Sequence, residues 1–275
     1  MPELPEVESV VRGLAPHLTG QRIARVQILG RSSAGGSPQP LAKACGRGVE
    51  SISRRAKYIL INLTGEYGLT VHLRMTGWLG LKNVETFKRE ADPYVRIAFE
   101  LEGGKEWLVF RDVRRFGRIW CGEREELLKL PALAKLGPEP LEIGADEFAA
   151  RLGAHRGRLK SLLLDQRFLA GLGNIYADEA LFAAQLHPER QAQRVKPQAA
   201  RALHAAIQAT LKRSLAAGGS SIDDYLHPDG TPGWFQRELK AYGREGQPCV
   251  RCKAAIKRIV LGQRGTWFCP KCQRK

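Results

Sequence analysis

Four cysteines near the end of the chain constrain its fold more than any other feature. Cys249-x-x-Cys252 and Cys269-x-x-Cys272 are separated by sixteen residues. Two C-x-x-C knuckles at this spacing turn four thiolates onto one tetrahedral metal. All four positions are filled, so the expected cofactor is one structural Zn2+ with no place for a reacting water. Two disulfides are the competing arrangement, and a reducing compartment disfavours them. Between the knuckles, residues 255–260 and 266–268 read as short strands, and 261–265 reads as a hairpin tip presenting Arg264. Cys45 and Cys121 stand alone and read as buried small apolar side chains.

The same tail is where the charge collects. The chain has 44 Lys and Arg against 28 Asp and Glu, a net charge of +16. Residues 235–275 hold eleven of the bases and two of the acids, so this segment carries +9. Solubility does not need charge so concentrated, and a basic folded tail points to a polyanionic partner. No apolar run reaches the ~18 residues of a membrane span. Glu3, Glu6 and Glu8 sit where a signal peptide would be apolar. The expected compartment is a reducing cytoplasm.

Upstream, the texture changes twice. Val7, Val10, Val11, Leu14 and Leu18 recur at helical spacing over 5–18, and Gly20 follows as a stop. Residues 22–29, 49–63, 69–74, 94–101, 106–110 and 117–120 read as β-strands, with Val95, Ile97, Phe99 and Leu101 on one face. Alternation through 53–60 places Arg55 and Lys57 together on one face. Residues 31–40 read as a surface loop. Short strands between Gly, Pro and Ser turns imply an antiparallel sandwich or barrel. After about residue 125 the pattern is helical, at 123–130, 145–152, 158–166, 175–185 and 197–217. Gly171 and Gly173 in Ala170-Gly-Leu-Gly-Asn174 allow a tight turn whose backbone N–H groups can hold a phosphate. An ordinary glycine-capped helix connection reads equally well there. Residues 218–235 form a long loop, and long loops in compact proteins are often functional. The fold class is therefore α+β and multidomain.

Pro2 bears on chemistry. Removal of Met1 would leave it with a free secondary amine, and a chain-terminal amine titrates near pH ~8. The neutral amine adds to an aldehyde-level carbon and gives an iminium, which acidifies the neighbouring C–H. Glu3 is placed to carry protons. Glu6 stands one helical turn further on.

Together these stretches resemble the formamidopyrimidine-DNA glycosylase family of bacterial base-excision repair, over the whole chain. The resemblance rests on Pro2-Glu-Leu-Pro-Glu-Val-Glu8, Arg54-Arg-Ala-Lys-Tyr58, His72-Leu-Arg-Met-Thr-Gly77 and Asp112-Val-Arg-Arg-Phe-Gly117. It continues through Gly171-Leu-Gly-Asn-Ile-Tyr-Ala-Asp-Glu-Ala180, Tyr242-Gly-Arg-Glu-Gly246 and the four-cysteine ribbon. It implies an N-terminal helix plus antiparallel β-sandwich over 1–125, a helix–two-turn–helix domain over 126–234 and a zinc ribbon over 235–275. It implies a monomer that excises oxidised purines from damaged duplex DNA and then cleaves the strand.

The roles follow the same resemblance. Pro2 is the nucleophile at sugar C1′ and Glu3 handles protons at the sugar. Lys57 acts in β-elimination, and Arg264 grips phosphate and acts in δ-elimination. Met75, Arg114 and Phe116 fill the space left by an everted nucleotide. Glu6 belongs to the same site, Asn174 matches a phosphate contact, and His155 and Arg156 lie at a basic DNA contact. Many relatives carry a DNA-contacting His near Asp92-Pro-Tyr94, and this chain has none there. The endonuclease VIII branch shares fold and chemistry but removes oxidised pyrimidines. Leu4, the Met75/Arg114/Phe116 set and the 218–235 loop favour the purine branch. A non-catalytic zinc-ribbon DNA binder leaves Pro2, Glu3, Lys57 and Arg264 unexplained. A proline-dependent tautomerase leaves the ribbon and the charge unexplained.

Overall fold

The structure, a computed structural model, describes residues 1–30, 39–90, 92–222 and 225–275. Most of the loop expected at 31–40 lies outside the described residues. The chain forms two compact units, Met1–Ala134 with Ala217–Trp234, and Lys135–Ala216 with Phe235–Lys275. The units cut across chain order. Ala217–Trp234, at the end of the expected 126–234 segment, packs within the first unit, and the ribbon clusters with the helices of the second. Among the described residues no helix is long and apolar enough to cross a membrane.

The first unit opens with helix α1 (Leu4–Leu18) and strand β1 (Ile23–Ile28), followed by the short helix α2 (Gln39–Ala42). Strands β2 (Val49–Arg55), β3 (Tyr58–Leu63), β4 (Tyr67–His72) and β5 (Gly77–Asn83) come next. Helix α3 (Val84–Glu90), strands β6 (Val95–Leu101), β7 (Glu106–Asp112) and β8 (Arg118–Glu123), and helices α4 (Arg124–Leu128) and α5 (Pro131–Ala134) complete the run. Two four-stranded antiparallel sheets result, in the orders β1-β6-β7-β5 and β2-β3-β4-β8. Val7, Val10, Val11, Leu14 and Leu18 of α1 share one core with Ile59, Ile61, Val71, Phe99 and Phe110. Each such side chain contributes about 1.5–3 kcal/mol by leaving water. The helical stripe and the β alternation therefore converge on one interior. Cys121 joins it, whereas Cys45 is exposed, against expectation.

Two readings of the strands need correction. Val95 does not share a face with Ile97, Phe99 and Leu101. The register slips between Val95 and Ile97 where β6 meets β7, a bulge that reverses side-chain parity. Val95 instead joins Ala98, Trp107 and Val109 on the opposite face, where Phe87 of α3 stacks on Trp107 at 5.0 Å. Alternation also fails across 53–60. Arg55 pairs with Tyr58, so Ala56 and Lys57 are a two-residue hairpin turn, with Ala56 left-handed at φ 52°. Strand β5 was not expected at all, because Gly77 and Gly80 weaken its pattern. Gly80 is required by packing: an added Cβ would fall 2.1 Å from the Trp78 ring and 2.5 Å from the Pro228 carbonyl oxygen.

The second unit contains α6 (Ala145–Ala154), α7 (Leu159–Leu164), α8 (Asn174–Ala183) and α9 (Pro197–Ala216), then the ribbon strands β9 (Lys257–Leu261) and β10 (Arg264–Phe268). The ribbon hairpin turns on Gly262 and Gln263, both left-handed at φ 51° and 61°. Two positive-φ residues make the tight turn whose twist suits a two-stranded ribbon. Arg264 is thus the first residue of β10, paired with Leu261, rather than part of the tip.

Candidate active site

In the first unit, Pro2, Glu3 and Glu6 are all buried at the start of α1. The carboxylate of Glu6 accepts the Glu3 N–H at 2.8 Å and, through its other oxygen, the Ser220 N–H at 2.8 Å. It therefore holds two separate segments. Gly219 makes this possible: it is left-handed at φ 83°, and an added Cβ would lie 3.0 Å from Glu6 Oε1. The Tyr225 hydroxyl donates to the Glu6 carbonyl at 3.1 Å, and Trp78 Nε1 donates to the His227 carbonyl at 2.8 Å. The long loop is thus tied to α1 and β5 along much of its length.

Lys57 is 5% exposed, which excludes a solvated strand lysine. Its turn is drawn to α1 by Arg54, whose guanidinium donates to Glu8 at 3.0 Å and to the Ala56 carbonyl at 3.0 Å. Next to it lies His72, which sequence reasoning passed over. Its ring meets Tyr58 edge to face at 4.5 Å, and its Nδ1 accepts the Arg74 N–H at 3.0 Å. Burial, with the Arg74 and Lys57 charges beside it, pushes the imidazole down to about 3.

A pH dependence follows. As pH falls, the unfolded chain protonates His72 near 6.5 while the folded ring stays neutral. Stability from the neutral ring is complete above that value and is lost as pH falls towards the folded one. Between pH 7 and 4 the wild-type chain is expected to lose roughly 3 kcal/mol more than His72→Asn, whose Oδ1 can still accept from Arg74. Denaturant titrations at both pH values measure this. Equal acid losses in the two chains would overturn it.

Met75 lies half-buried in the β4–β5 loop, and Arg114 and Phe116 lie exposed in the β7–β8 loop. The Arg114 guanidinium rests over the Phe116 ring at 4.8 Å. Phe116 is 48% exposed and so is not packed into a core.

In the second unit, Arg264 is exposed and the backbone beside it is fixed. The Gly265 carbonyl accepts Lys160 Nζ at 2.9 Å and Asn174 Nδ2 at 3.0 Å. Lys160 also pairs with Asp178 at 2.7 Å, both fully buried, and Asp178 accepts the Trp267 N–H at 3.0 Å. Removing either charge would strand the other, a cost of about 3–5 kcal/mol. Lys160 lies outside every motif and Asp178 sits unassigned within the Gly171–Ala180 motif; only the ribbon's packing on α7 and α8 reveals their pairing. The Gly171 N–H is already taken by Gln166 Oε1 at 2.9 Å, so it is not open to a phosphate. His155 and Arg156 are exposed just past α6, and His155 Nδ1 bonds the Arg151 carbonyl oxygen at 2.7 Å.

The sulfurs of Cys249, Cys252, Cys269 and Cys272 lie within 4.8 Å of one another. The Cys249–Cys272 and Cys252–Cys269 pairs are 4.0 and 3.4 Å apart. A tetrahedral zinc with ~2.3 Å bonds has edges of ~3.8 Å, so the cluster fits one structural zinc. The Arg251 and Cys272 N–H groups point at Cys249 and Cys269 sulfurs at 3.4 Å, as suits thiolates. The Glu179 carboxylate accepts the N–H groups of Lys240, Ala241 and Tyr242 and fixes the entry to the ribbon.

Comparison with known proteins places these features. Residues 1–119 match the formamidopyrimidine-DNA glycosylase N-terminal domain, 136–225 its H2TH domain, and 246–274 the zinc finger found in FPG and IleRS. The formamidopyrimidine-DNA glycosylase of Solibacter usitatus is 43% identical over 277 residues, covering 100% of both chains. The crystal structure of MutM (Fpg) from Thermus thermophilus superposes with TM-score 0.88 at 42% identity, over 99% of this chain and 98% of that one. Wild-type Lactococcus lactis Fpg, in complex with DNA containing N7-benzyl-Fapy-dG, matches with TM-score 0.91 at 34% identity over 100% of both. Fold and site define a DNA glycosylase with a structural zinc. The chain belongs to the formamidopyrimidine-DNA glycosylase family.

Proposed function

We propose that this chain excises oxidised purines, 8-oxoguanine and formamidopyrimidines, from duplex DNA through Pro2 and then cleaves the strand by β,δ-elimination. The observation that carries the reading is the buried Pro2-Glu3 start of α1, beside which Arg54 and Glu8 tether the Lys57 turn. With Met1 removed, the Pro2 nitrogen attacks C1′ of an everted nucleotide. The glycosidic bond breaks and its electron pair leaves with the base. Glu3 delivers a proton to the sugar oxygen as the ring opens to the iminium. Lys57 then takes part in proton loss from C2′ and expulsion of the 3′ phosphate. Arg264 holds a phosphate while the 5′ phosphate leaves, and a one-nucleotide gap remains. Met75, Arg114 and Phe116 occupy the vacated stack, and Glu6 keeps the first turn and the 218–235 loop in register with the nucleophile. Asn174, His155 and Arg156 contact the DNA backbone. Zinc cross-links the ribbon knuckles and takes no part in the chemistry. The protein works as a monomer on damaged duplex DNA, in a bacterial cytoplasm that keeps its four ligand thiols reduced.

Single-turnover excision tests the lesion class. Duplexes carrying 8-oxoguanine opposite cytosine, and formamidopyrimidine, are expected to react faster than a thymine glycol duplex by at least about tenfold, ~1.4 kcal/mol of barrier. A preference for thymine glycol would move the chain to pyrimidine repair.

A further inference from the structure

Two loops carry Met75, Arg114 and Phe116, and each bends through a non-glycine residue in the left-handed region. These are Arg74 at φ 58° and Arg115 at φ 60°. Such backbone persists only where its surroundings over-determine it. Here the surroundings are a buried polar pair, Thr76 and Asp112. Asp112 is fully buried and Thr76 is 8% exposed. The Thr76 hydroxyl donates to Asp112 Oδ1 and accepts the Arg114 N–H at 3.1 Å. Asp112 Oδ2 accepts the Gly117 N–H at 2.7 Å. One carboxylate and one hydroxyl therefore pin the start and end of the β7–β8 loop and join it to the β4–β5 loop.

The pair is held from below as well. Arg96, the residue set off by the β6 bulge, donates to the Asp112 carbonyl at 2.8 Å and to the Pro93 carbonyl at 3.1 Å. Gly117 is packed so closely that an added Cβ would lie 2.5 Å from the Phe110 ring and 3.2 Å from the Leu73 carbonyl oxygen. Arg114 is thus held at its backbone by Thr76, and its exposed guanidinium rests over the Phe116 ring.

We infer that Thr76 and Asp112 are positioning residues that hold Met75, Arg114 and Phe116 as one preformed wedge for entry into the duplex. The inference rests on the reading of those three side chains as void fillers. Inserting side chains into a base stack costs ordering of whatever carries them, and loops ordered during folding avoid that cost on binding. A loop free to relax would surrender the void to the returning nucleotide. A fixed Arg114 also presents its planar fork of donors in one direction before DNA arrives.

Thr76→Val keeps the side-chain shape and leaves Asp112 Oδ1 and the Arg114 N–H without their partner. Base eversion, followed by the fluorescence of 2-aminopurine placed beside 8-oxoguanine, is expected to slow about tenfold in this chain, and excision opposite cytosine with it. Thr76→Ser, which restores the hydroxyl, is expected to recover to within about threefold of wild type. In a background with Met75→Ala, Arg114→Ala and Phe116→Ala together, Thr76→Val is expected to cost less than about twofold, because the side chains it acts through are gone. A loss arising merely from a weakened fold would be the same in both backgrounds. Wild-type eversion in Thr76→Val, or losses that multiply with the triple alanine change, would overturn the inference. Wild-type excision by Met75→Ala, Arg114→Ala and Phe116→Ala chains would refute the void-filling reading itself, and the inference with it.

Discussion

Borohydride added during turnover on a duplex containing 8-oxoguanine will leave a covalent DNA adduct on Pro2 when Met1 has been removed, and none when Met1 is retained. The effect is all or none because it concerns one lone pair. Behind Met1, the proline nitrogen is an amide and cannot form an iminium. Freed, it is a secondary amine near pH ~8 with an appreciable neutral fraction at pH 7. Pro2 is buried beside Glu3, which is 3% exposed, so neither is an incidental chain end in solvent. Peptide mapping identifies the site. An adduct found on Lys57, a buried amine, would transfer the nucleophile's role to the β2–β3 turn.

The second large effect concerns the ribbon. Cys249→Ala is expected to lose zinc and nearly all DNA affinity while the sandwich remains folded. Structural zinc contributes on the order of 10–16 kcal/mol to small zinc-dependent folds, far more than a hairpin recovers by other means. Cys249 and Cys269 are themselves fully buried, packed with Phe182, Ala241 and Ile256, so loss of the metal also opens that small core. The sandwich core draws only on residues of the first unit and has no reason to melt with it. Wild-type affinity should fall steeply with salt as phosphate counterions are released, and the altered chain should show a shallower slope. Metal analysis, titration at two salt concentrations and circular dichroism read the three parts. A zinc-free chain that kept its affinity would refute the ribbon's role.

How far the sequence speaks depends on the range of the interaction. The cysteine spacing, the α1 stripe and the Pro-opened α9 are local patterns, and each falls where periodicity puts it. Parity was less secure. One extra residue at Arg96 moved Val95 to the other face, and one tight turn at Ala56 ended the alternation that had carried Lys57. Neither event leaves a compositional trace. Contacts between residues distant along the chain were least legible. Thr76 and Asp112 are 36 residues apart, and Glu6 and Ser220 are 214 apart. Thr76, Asp112 and Glu6 lie in motifs visible in the sequence and Ser220 in the long loop, but which atoms meet is decided by tertiary packing.

That longest separation has a bearing on how the chain matures. Glu6 leaves the ribosome well before Ser220, its partner 214 residues on. At ordinary elongation rates the interval is roughly 10–40 s. Throughout it, the first turn of α1 lacks the clamp that the late segment supplies. An aminopeptidase acting on the nascent chain meets Met1 and Pro2 before the late segment clamps the first turn, in which Pro2 is buried. The timing of translation thus separates the freeing of the proposed Pro2 nucleophile from its enclosure.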